Sequence, residues 1–228
     1  MQLDFLCEPA GAAPAALTLE IDSLVIAGWT GRDVDAMEAH IRELEEIGVP
    51  RPAQTPTYYR VGASLLTQAG EIEVAGTGSS GEVEFVLFMS GGQHYVGLGS
   101  DHTDRELEKT GVTWSKQACP KPIGANLWRL ADLTDHWDRL VLRSWATMDG
   151  VRSLYQEGPV TTMRDPMELL SGFLKGGAKP AGLAMFCGTL AVQGGLRPAD
   201  LFEIELEDPV LDRRLHHAYR VRPLPIAG

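Results

Sequence analysis

The sequence predicts an α+β fold that is mostly β, on three observations. From Thr57 onward, short apolar runs are separated by Gly76-Thr77-Gly78-Ser79-Ser80-Gly81, Gly91-Gly92 and Gly194-Gly195, the punctuation of successive strands. Asp149-Gly150 stands between two strand-like runs, 139–148 and 151–156, and signals a hairpin with a type I′ turn. Helical periodicity is confined to two segments, 33–47 and 167–174.

Taken in order, residues 17–27 alternate as a strand. Over 33–47, Val34, Met37, Ile41 and Leu44 recur at helical spacing, with Asp33 as N-cap and Gly48 then Pro50 as the stop. The link Arg51-Pro52-Ala53-Gln54-Thr55-Pro56 is expected to divide an N-terminal segment, residues 1–55, from a main body, residues 56–228. In the body, 82–89 and 94–99 read as strands. The second ends at Ser100-Asp101, ahead of a capping-box pattern between Thr103 and Glu106.

At 228 residues the chain can bury a full core. A net charge of −11 with no basic run argues against nucleic acid and against an anionic membrane surface as partners. Cys7, Cys119 and Cys187 are widely spaced, as expected of reduced thiols; Cys119 and Cys187 read as buried small hydrophobes, lacking a nearby base. Asp4 and Glu8 interrupt any apolar leader, and no later run approaches the length of a membrane span. A soluble, cytoplasmic protein is expected.

The chemistry is concentrated in Glu82-Val83-Glu84-Phe85-Val86-Leu87-Phe88-Met89. Side chains alternate along a strand, so Glu82 and Glu84 share a face with Val86 and Phe88, and both faces are otherwise apolar. Two carboxylates on such a strand repel and lose hydration, so they require a cation, a shared proton or a basic partner. Glu203-Ile204-Glu205-Leu206-Glu207 has the same spacing, but one of its faces carries only acids, and it reads as half exposed. Asp101, at a strand end, can be aimed back at the first pair. Three carboxylates make an all-oxygen site suited to Mg²⁺ or Mn²⁺ rather than Zn²⁺.

Gly81-Glu82-Val83-Glu84-Phe85 followed by Ser100-Asp101-His102-Thr103-Asp104-Arg105-Glu106-Leu107-Glu108 resembles the metal signature of the fumarylacetoacetate hydrolase superfamily. There a Glu-x-Glu strand precedes an Asn-Asp-x-Ser-Ala-Arg-Asp-x-Gln segment. Ser100, Asp104 and Glu106 depart from that pattern, while Thr103 and Arg105 keep its character. Further matches follow in order: His40-Ile41-Arg42-Glu43 to a His-x-x-Glu lid motif, Pro56-Thr57-Tyr58-Tyr59-Arg60 to an entrance strand, and Trp114-Ser115-Lys116 to the segment of the active-site lysine. Gln156 falls after the hairpin as in the family. Gly188-Thr189 opens a Gly-Thr-Pro loop in which Leu190 replaces proline. The pattern is that of a divergent branch.

The resemblance implies a mixed β-roll of the fumarylacetoacetate hydrolase C-terminal domain type, with a lid helix in the N-terminal segment. It implies Glu82, Glu84 and Asp101 as ligands of Mg²⁺ or Mn²⁺, and His40, Glu43 and Lys116 as catalytic groups. It further implies Arg105, Gly188 and Thr189 as substrate contacts, and a homodimer. Chemically, a His–Glu pair can activate water, a lysine can stabilise an oxyanion, and a glycine lets N–H groups approach a carboxylate. The expected activity is hydrolytic cleavage of a C–C bond in a 2-oxo or β-dicarbonyl acid of acylpyruvate type. Decarboxylation, hydration or tautomerisation of the same substrates, or metal-dependent binding without turnover, are the alternatives.

Overall fold

The computed structural model describes residues 1–46, 51–178 and 180–227, with the side chains of His40 and Leu44 outside the described residues. Its strands are β1 (Gln2–Cys7), β2 (Ala15–Glu20), β3 (Ser23–Gly28), β4 (Thr57–Val61), β5 (Leu66–Thr67), β6 (Glu71–Ala75), β7 (Ser79–Ser80), β8 (Val83–Ser90) and β9 (Gln93–Ser100). These are followed by β10 (Thr103–Asp104), β11 (Lys121–Pro122), β12 (Asn126–Arg129), β13 (Val141–Met148), β14 (Val151–Pro159), β15 (Gly182–Phe186), β16 (Leu201–Asp208) and β17 (Arg213–Leu224). The α-helices are α1 (Val34–Glu46), α2 (Arg105–Glu108), α3 (Val112–Gln117) and α4 (Pro166–Lys175). The chain is thus mostly β with few helices.

Eight strands form a mixed sheet in the order β2-β1-β12-β9-β8-β15-β3-β4, and five form a second, β14-β13-β16-β17-β6. Strand β8 sits inside the first sheet and is buried on both faces. Val83, Phe85 and Leu87 share a core with Leu142, Ile204 and Leu206 of the second sheet, while Val86 and Phe88 join Phe5, Ile26 and Phe186 in another. Its near-continuous apolar run follows from this placement, each fully buried side chain of this kind contributing roughly 1.5–3 kcal/mol.

The strand expected at 17–27 is two strands, β2 and β3. Strand β1 escaped the sequence reading although Leu3, Phe5 and Cys7 alternate inward with period two. Strands β3 and β4, on either side of the expected division at 55/56, are hydrogen-bonded neighbours, and β1 and β2 form the opposite edge of the same sheet. The first 28 residues are therefore built into the sheet that carries β8.

Helix α1 starts as expected, Asp33 Oδ1 accepting from the Ala36 N–H at 2.9 Å. Ile41 is buried and Val34, in its first turn, is exposed. The expected stop at Gly48 and Pro50 lies outside the described residues. Asp149 and Gly150 have φ of 50° and 76°, the paired positive values of a type I′ turn. Helix α4 is capped by Asp165 with Pro166 at its first position, and buries Leu169, Leu170 and Phe173. The capping residue of α2 is Asp104, not Thr103: Asp104 Oδ1 accepts from the Glu106 and Leu107 N–H groups at 2.9 and 3.0 Å. Thr103 instead donates its hydroxyl to the Asp101 carbonyl at 3.0 Å.

Glu203, Glu205 and Glu207 lie half exposed on β16, paired with Arg152, Arg143 and Arg214. The three cysteines are free and buried. Among the described residues no helix is long and apolar enough to cross a membrane.

Candidate metal centre

Three carboxylates converge where β8 begins and β9 ends. One oxygen from each of Glu82, Glu84 and Asp101 lies within 4.8 Å of the other two. Pairing of β8 with β9 sets Val83 opposite Ser100, and the Asp101 N–H donates to the Glu82 carbonyl at 2.9 Å, so the loop acid is drawn back onto the strand acids. Glu84 and Asp101 are 2% and 0% exposed, whereas the Glu82 side chain, at 16%, marks the side open to solvent.

Three cations offset these acids. Lys116 Nζ donates to Asp101 Oδ2. Lys121 Nζ lies 3.2 Å from Asp101 Oδ1 and donates to the His102 carbonyl at 2.6 Å. Arg105 places Nη2 3.0 Å from Glu82 Oε1, while Nε donates to Ser80 at 2.8 Å and Nη1 to Glu108 at 3.0 Å. Like charges so close in a buried site shift one another's protonation. Burial, then the Asp101 charge, pushes Glu84 well above the usual carboxylate range. Burial alone would raise Asp101 too, but Lys116 and Lys121 outweigh it and hold its carboxyl below its ordinary value. Burial opposes the charge on Lys116, yet Asp101 above all holds its pKa up. Lys121, more deeply enclosed, is shifted down by burial.

The donor set fits a hard divalent cation. All three groups offer oxygen, and Asp101 Oδ1 is buried without a hydrogen bond among the described residues, Lys121 being within ion-pair distance but off hydrogen-bonding geometry. A buried acceptor with a lone pair unused is costly unless a further cation shares it.

The loop after β15 supports the strand acids. The Gly188 N–H donates to Glu84 Oε2 at 2.6 Å, so in this structure it holds a metal-site carboxylate. Gly188 has φ of 100°, and a Cβ there would lie 1.8 Å from Thr30 Oγ1, which itself donates to the Cys187 carbonyl at 2.9 Å. Thr189 donates its hydroxyl to the Val83 carbonyl at 2.7 Å. Gln156 ties the pieces together: Oε1 accepts from the Val83 N–H at 3.0 Å and from Ser144 at 2.9 Å, and Nε2 donates to Thr189 and to the Leu190 carbonyl. Behind Asp101, buried His102 hydrogen-bonds Ser79 at 2.9 Å and Tyr219 at 3.2 Å, and burial, then Lys121 and Arg105, drives its pKa down to about 3. It is a neutral structural histidine.

Glu82, Glu84, Asp101, Lys116, Arg105, Gly188 and Thr189 are therefore linked in one network. His40 belongs to α1 with its side chain outside the described residues, and Glu43 is exposed on the same helix. Lys121 was missed in the sequence. Its one local signal is position, a lysine set between Pro120 and Pro122 in an apolar stretch, and its burial comes from the distant pairing of β11 with β5.

A family model described as a protein of unknown function (DUF2848) matches residues 27–219. No curated protein sequence matches the chain significantly. Solved structures do. Cg1458 with inhibitor is 16% identical, with 98% of this chain and 90% of that chain covered and a TM-score of 0.64. A 2-keto-3-deoxy-D-arabinonate dehydratase complexed with magnesium and 2,5-dioxopentanoate is 15% identical, with 94% and 79% covered and a TM-score of 0.61. Fumarylacetoacetate hydrolase from psychrophilic Exiguobacterium antarcticum is 17% identical, with 93% and 82% covered and a TM-score of 0.57. At these identities the likeness is one of fold: the chain has the architecture of fumarylacetoacetate hydrolase-like proteins.

Proposed function

We propose that this chain, which belongs to the DUF2848 family of proteins of unknown function, is a Mg²⁺- or Mn²⁺-dependent enzyme acting on a small 2-oxo or β-dicarbonyl acid. The observation that carries this reading is the buried all-oxygen triad of Glu82, Glu84 and Asp101, with one Asp101 oxygen free of hydrogen bonds and Lys116 on the other. A neighbour of the same fold complexed with magnesium and an oxo acid supports it.

When bound, the divalent ion supplies Lewis-acid polarisation of a substrate oxygen. Lys116, kept charged by Asp101, stands ready to stabilise negative charge developing on that oxygen. Arg105 orients Glu82 and offers its charge toward the open side of the site. Gly188 and Thr189 form the side of the site beside Glu84 against which the substrate rests.

The finer reading is hydrolysis of a C–C bond in an acylpyruvate-like acid on the mixed β-roll of the superfamily. Residues 1–55 then contribute the lid helix to a catalytic body of residues 56–228, and His40, oriented by Glu43, deprotonates the attacking water as α1 closes. Hydration, decarboxylation or tautomerisation of the same acids is the second reading. It is favoured by the exposure of Glu43 on α1 and by the dehydratase among the structural neighbours.

Turnover measured over a panel of acylpyruvates and short 2-oxo acids with saturating Mg²⁺ tests both. Glu82→Gln is expected to abolish turnover and metal binding while the fold persists, since Arg105 keeps Glu108 as a partner. His40→Ala is expected to slow hydrolysis by roughly 10²–10⁴-fold, the usual contribution of a positioned acid–base group. Unchanged turnover in His40→Ala would make His40 a helix-edge residue and favour the second reading, whose reactions need no water-activating base at that position. Calorimetry with no Mg²⁺ or Mn²⁺ uptake would remove the enzyme reading altogether, and metal and acid uptake without turnover would leave a binding protein. The protein is further proposed to act as a cytoplasmic homodimer, closed two-fold pairs being the commonest assembly. A monomer mass by light scattering at micromolar concentration overturns that assignment.

A further inference from the structure

Trp29 is held in a left-handed backbone conformation, φ 59°. The other non-glycine residues with positive φ among the described residues are Asp149 and Asp212, short polar residues that tolerate it. For a bulky side chain the conformation is a true outlier, and it persists only where the surroundings hold it. The segment is clamped on both sides. Thr30 Oγ1 donates to the Cys187 carbonyl at 2.9 Å, the Arg164 N–H donates to the Thr30 carbonyl at 2.8 Å, and the Arg32 N–H donates to the Thr162 carbonyl at 3.0 Å.

The indole is held as well, its Nε1–H donating to the Tyr59 hydroxyl at 3.0 Å. Tyr59 in turn lies across Gly28: a Cβ at that position would come within 2.8 Å of the ring, so the glycine beside Trp29 is what admits the phenol. The centroid of the Tyr59 ring is 5.9 Å from Lys116 Nζ, and Lys116 is bonded to Asp101. The strained residue is thus connected to the acidic triad through Tyr59 and Lys116. Both Trp29 and Tyr59 are only half buried. A tryptophan serving the core alone has no need of the left-handed region, because the same ring can be packed from an ordinary strand conformation.

We propose that Trp29, anchored by Tyr59, is the specificity wall of this site and takes the non-reacting substituent of the acid, an aryl or other planar unsaturated group. This rests on the metal-dependent oxo-acid reading above and deepens it: Tyr59 stands beside the lysine at the reacting end and holds the indole, against which a flat substituent can stack. Aryl-bearing 2-oxo acids are then preferred to short aliphatic ones.

The test is calorimetric titration of the full chain, loaded with Mg²⁺, with pyruvate and with phenylpyruvate. The wild-type protein is expected to bind phenylpyruvate the more tightly. In Trp29→Gly, where glycine accepts the positive φ without strain, the ratio of the two affinities should fall roughly tenfold, the scale of one aromatic stacking contact. Tyr59→Phe, which removes the indole's acceptor but keeps a ring, should lower the ratio by less. An unchanged ratio in Trp29→Gly, whether both affinities stay or fall together, overturns the wall and makes Trp29 structural. Wild-type protein that binds both acids equally also overturns it while leaving the oxo-acid reading in place. Wild-type protein that takes up Mg²⁺ but neither acid overturns both.

Discussion

Asp101→Asn is expected to lower the thermal unfolding midpoint by roughly 10 °C and to abolish Mg²⁺ binding. Lys116 and Lys121 are both buried and both paired with this one carboxylate, whose side chain is 0% exposed. The amide keeps the shape but removes the charge, leaving two ammonium groups enclosed with less compensation than they need. Removing one partner of a buried ion pair costs about 3–5 kcal/mol, and in a chain of this size each kcal/mol moves the midpoint by about 2–4 °C. Circular dichroism melts in the presence of a chelator measure the effect without metal. Adding Lys121→Met to Asp101→Asn removes one of the stranded charges, so stability should recover in part while Mg²⁺ binding stays lost. A midpoint unchanged by Asp101→Asn would mean that the lysines are solvated in solution and that the buried network is wrong.

The acids of this site were legible in the sequence because local patterning reports them directly. Glu82 and Glu84 interrupt a run that is apolar on both faces, and such a run is what a strand interior to a layered sheet requires. Asp101 follows from the next strand, since an antiparallel neighbour of β8 returns its end to the start of β8. The hairpin at Asp149-Gly150 and the cap at Asp33 are equally local, each set by two to four consecutive residues. Half exposure of Glu203, Glu205 and Glu207 was readable for the same reason, with Phe202, Ile204 and Leu206 marking the inner face of β16.

What stayed hidden depends on pairings between distant segments. Lys121 is buried because a two-residue strand pairs with Leu66-Thr67, a contact no local period encodes. Strand β1 joins β12 across more than a hundred residues, so its role in the main sheet is invisible from its own six residues. The Thr103 misassignment has another cause: Thr103 and Asp104 are both able capping residues and both lie in β10, but Thr103 gives its hydroxyl to the Asp101 carbonyl, and Asp104 makes the cap. The strain at Trp29 is a backbone property, and nothing in the side-chain order around Gly28 and Gly31 announces it.

Gly188→Ala is expected to destabilise the protein and to uncouple Glu84 from the site. The added Cβ would meet Thr30 Oγ1 at 1.8 Å and Thr30 Cβ at 3.1 Å, and the residue sits at φ 100°, where alanine is strained whatever the space. Overpacking and an unfavourable backbone each cost about 1–3 kcal/mol, so a combined loss of roughly 3–5 kcal/mol is anticipated. The consequence for the site is specific. The Gly188 N–H is the hydrogen bond that aims Glu84 Oε2, and Glu84 is already pushed toward its protonated form by burial, then by the neighbouring Asp101 charge. Alanine keeps this N–H, but the clash and the strained φ displace it from Glu84; the weakened hydrogen bond raises the Glu84 pKa further, so Mg²⁺ affinity should fall and should fall more steeply as the pH is lowered, because the ion must compete with a more tightly held proton. Thr30→Ala in the Gly188→Ala background removes the shortest clash and should restore part of the stability, whereas the φ strain and the weakened metal affinity should remain. Calorimetric Mg²⁺ titrations at two pH values, beside thermal melts of the single and double variants, separate the two effects. Wild-type Mg²⁺ affinity in Gly188→Ala at both pH values would mean that the loop after β15 does not govern Glu84.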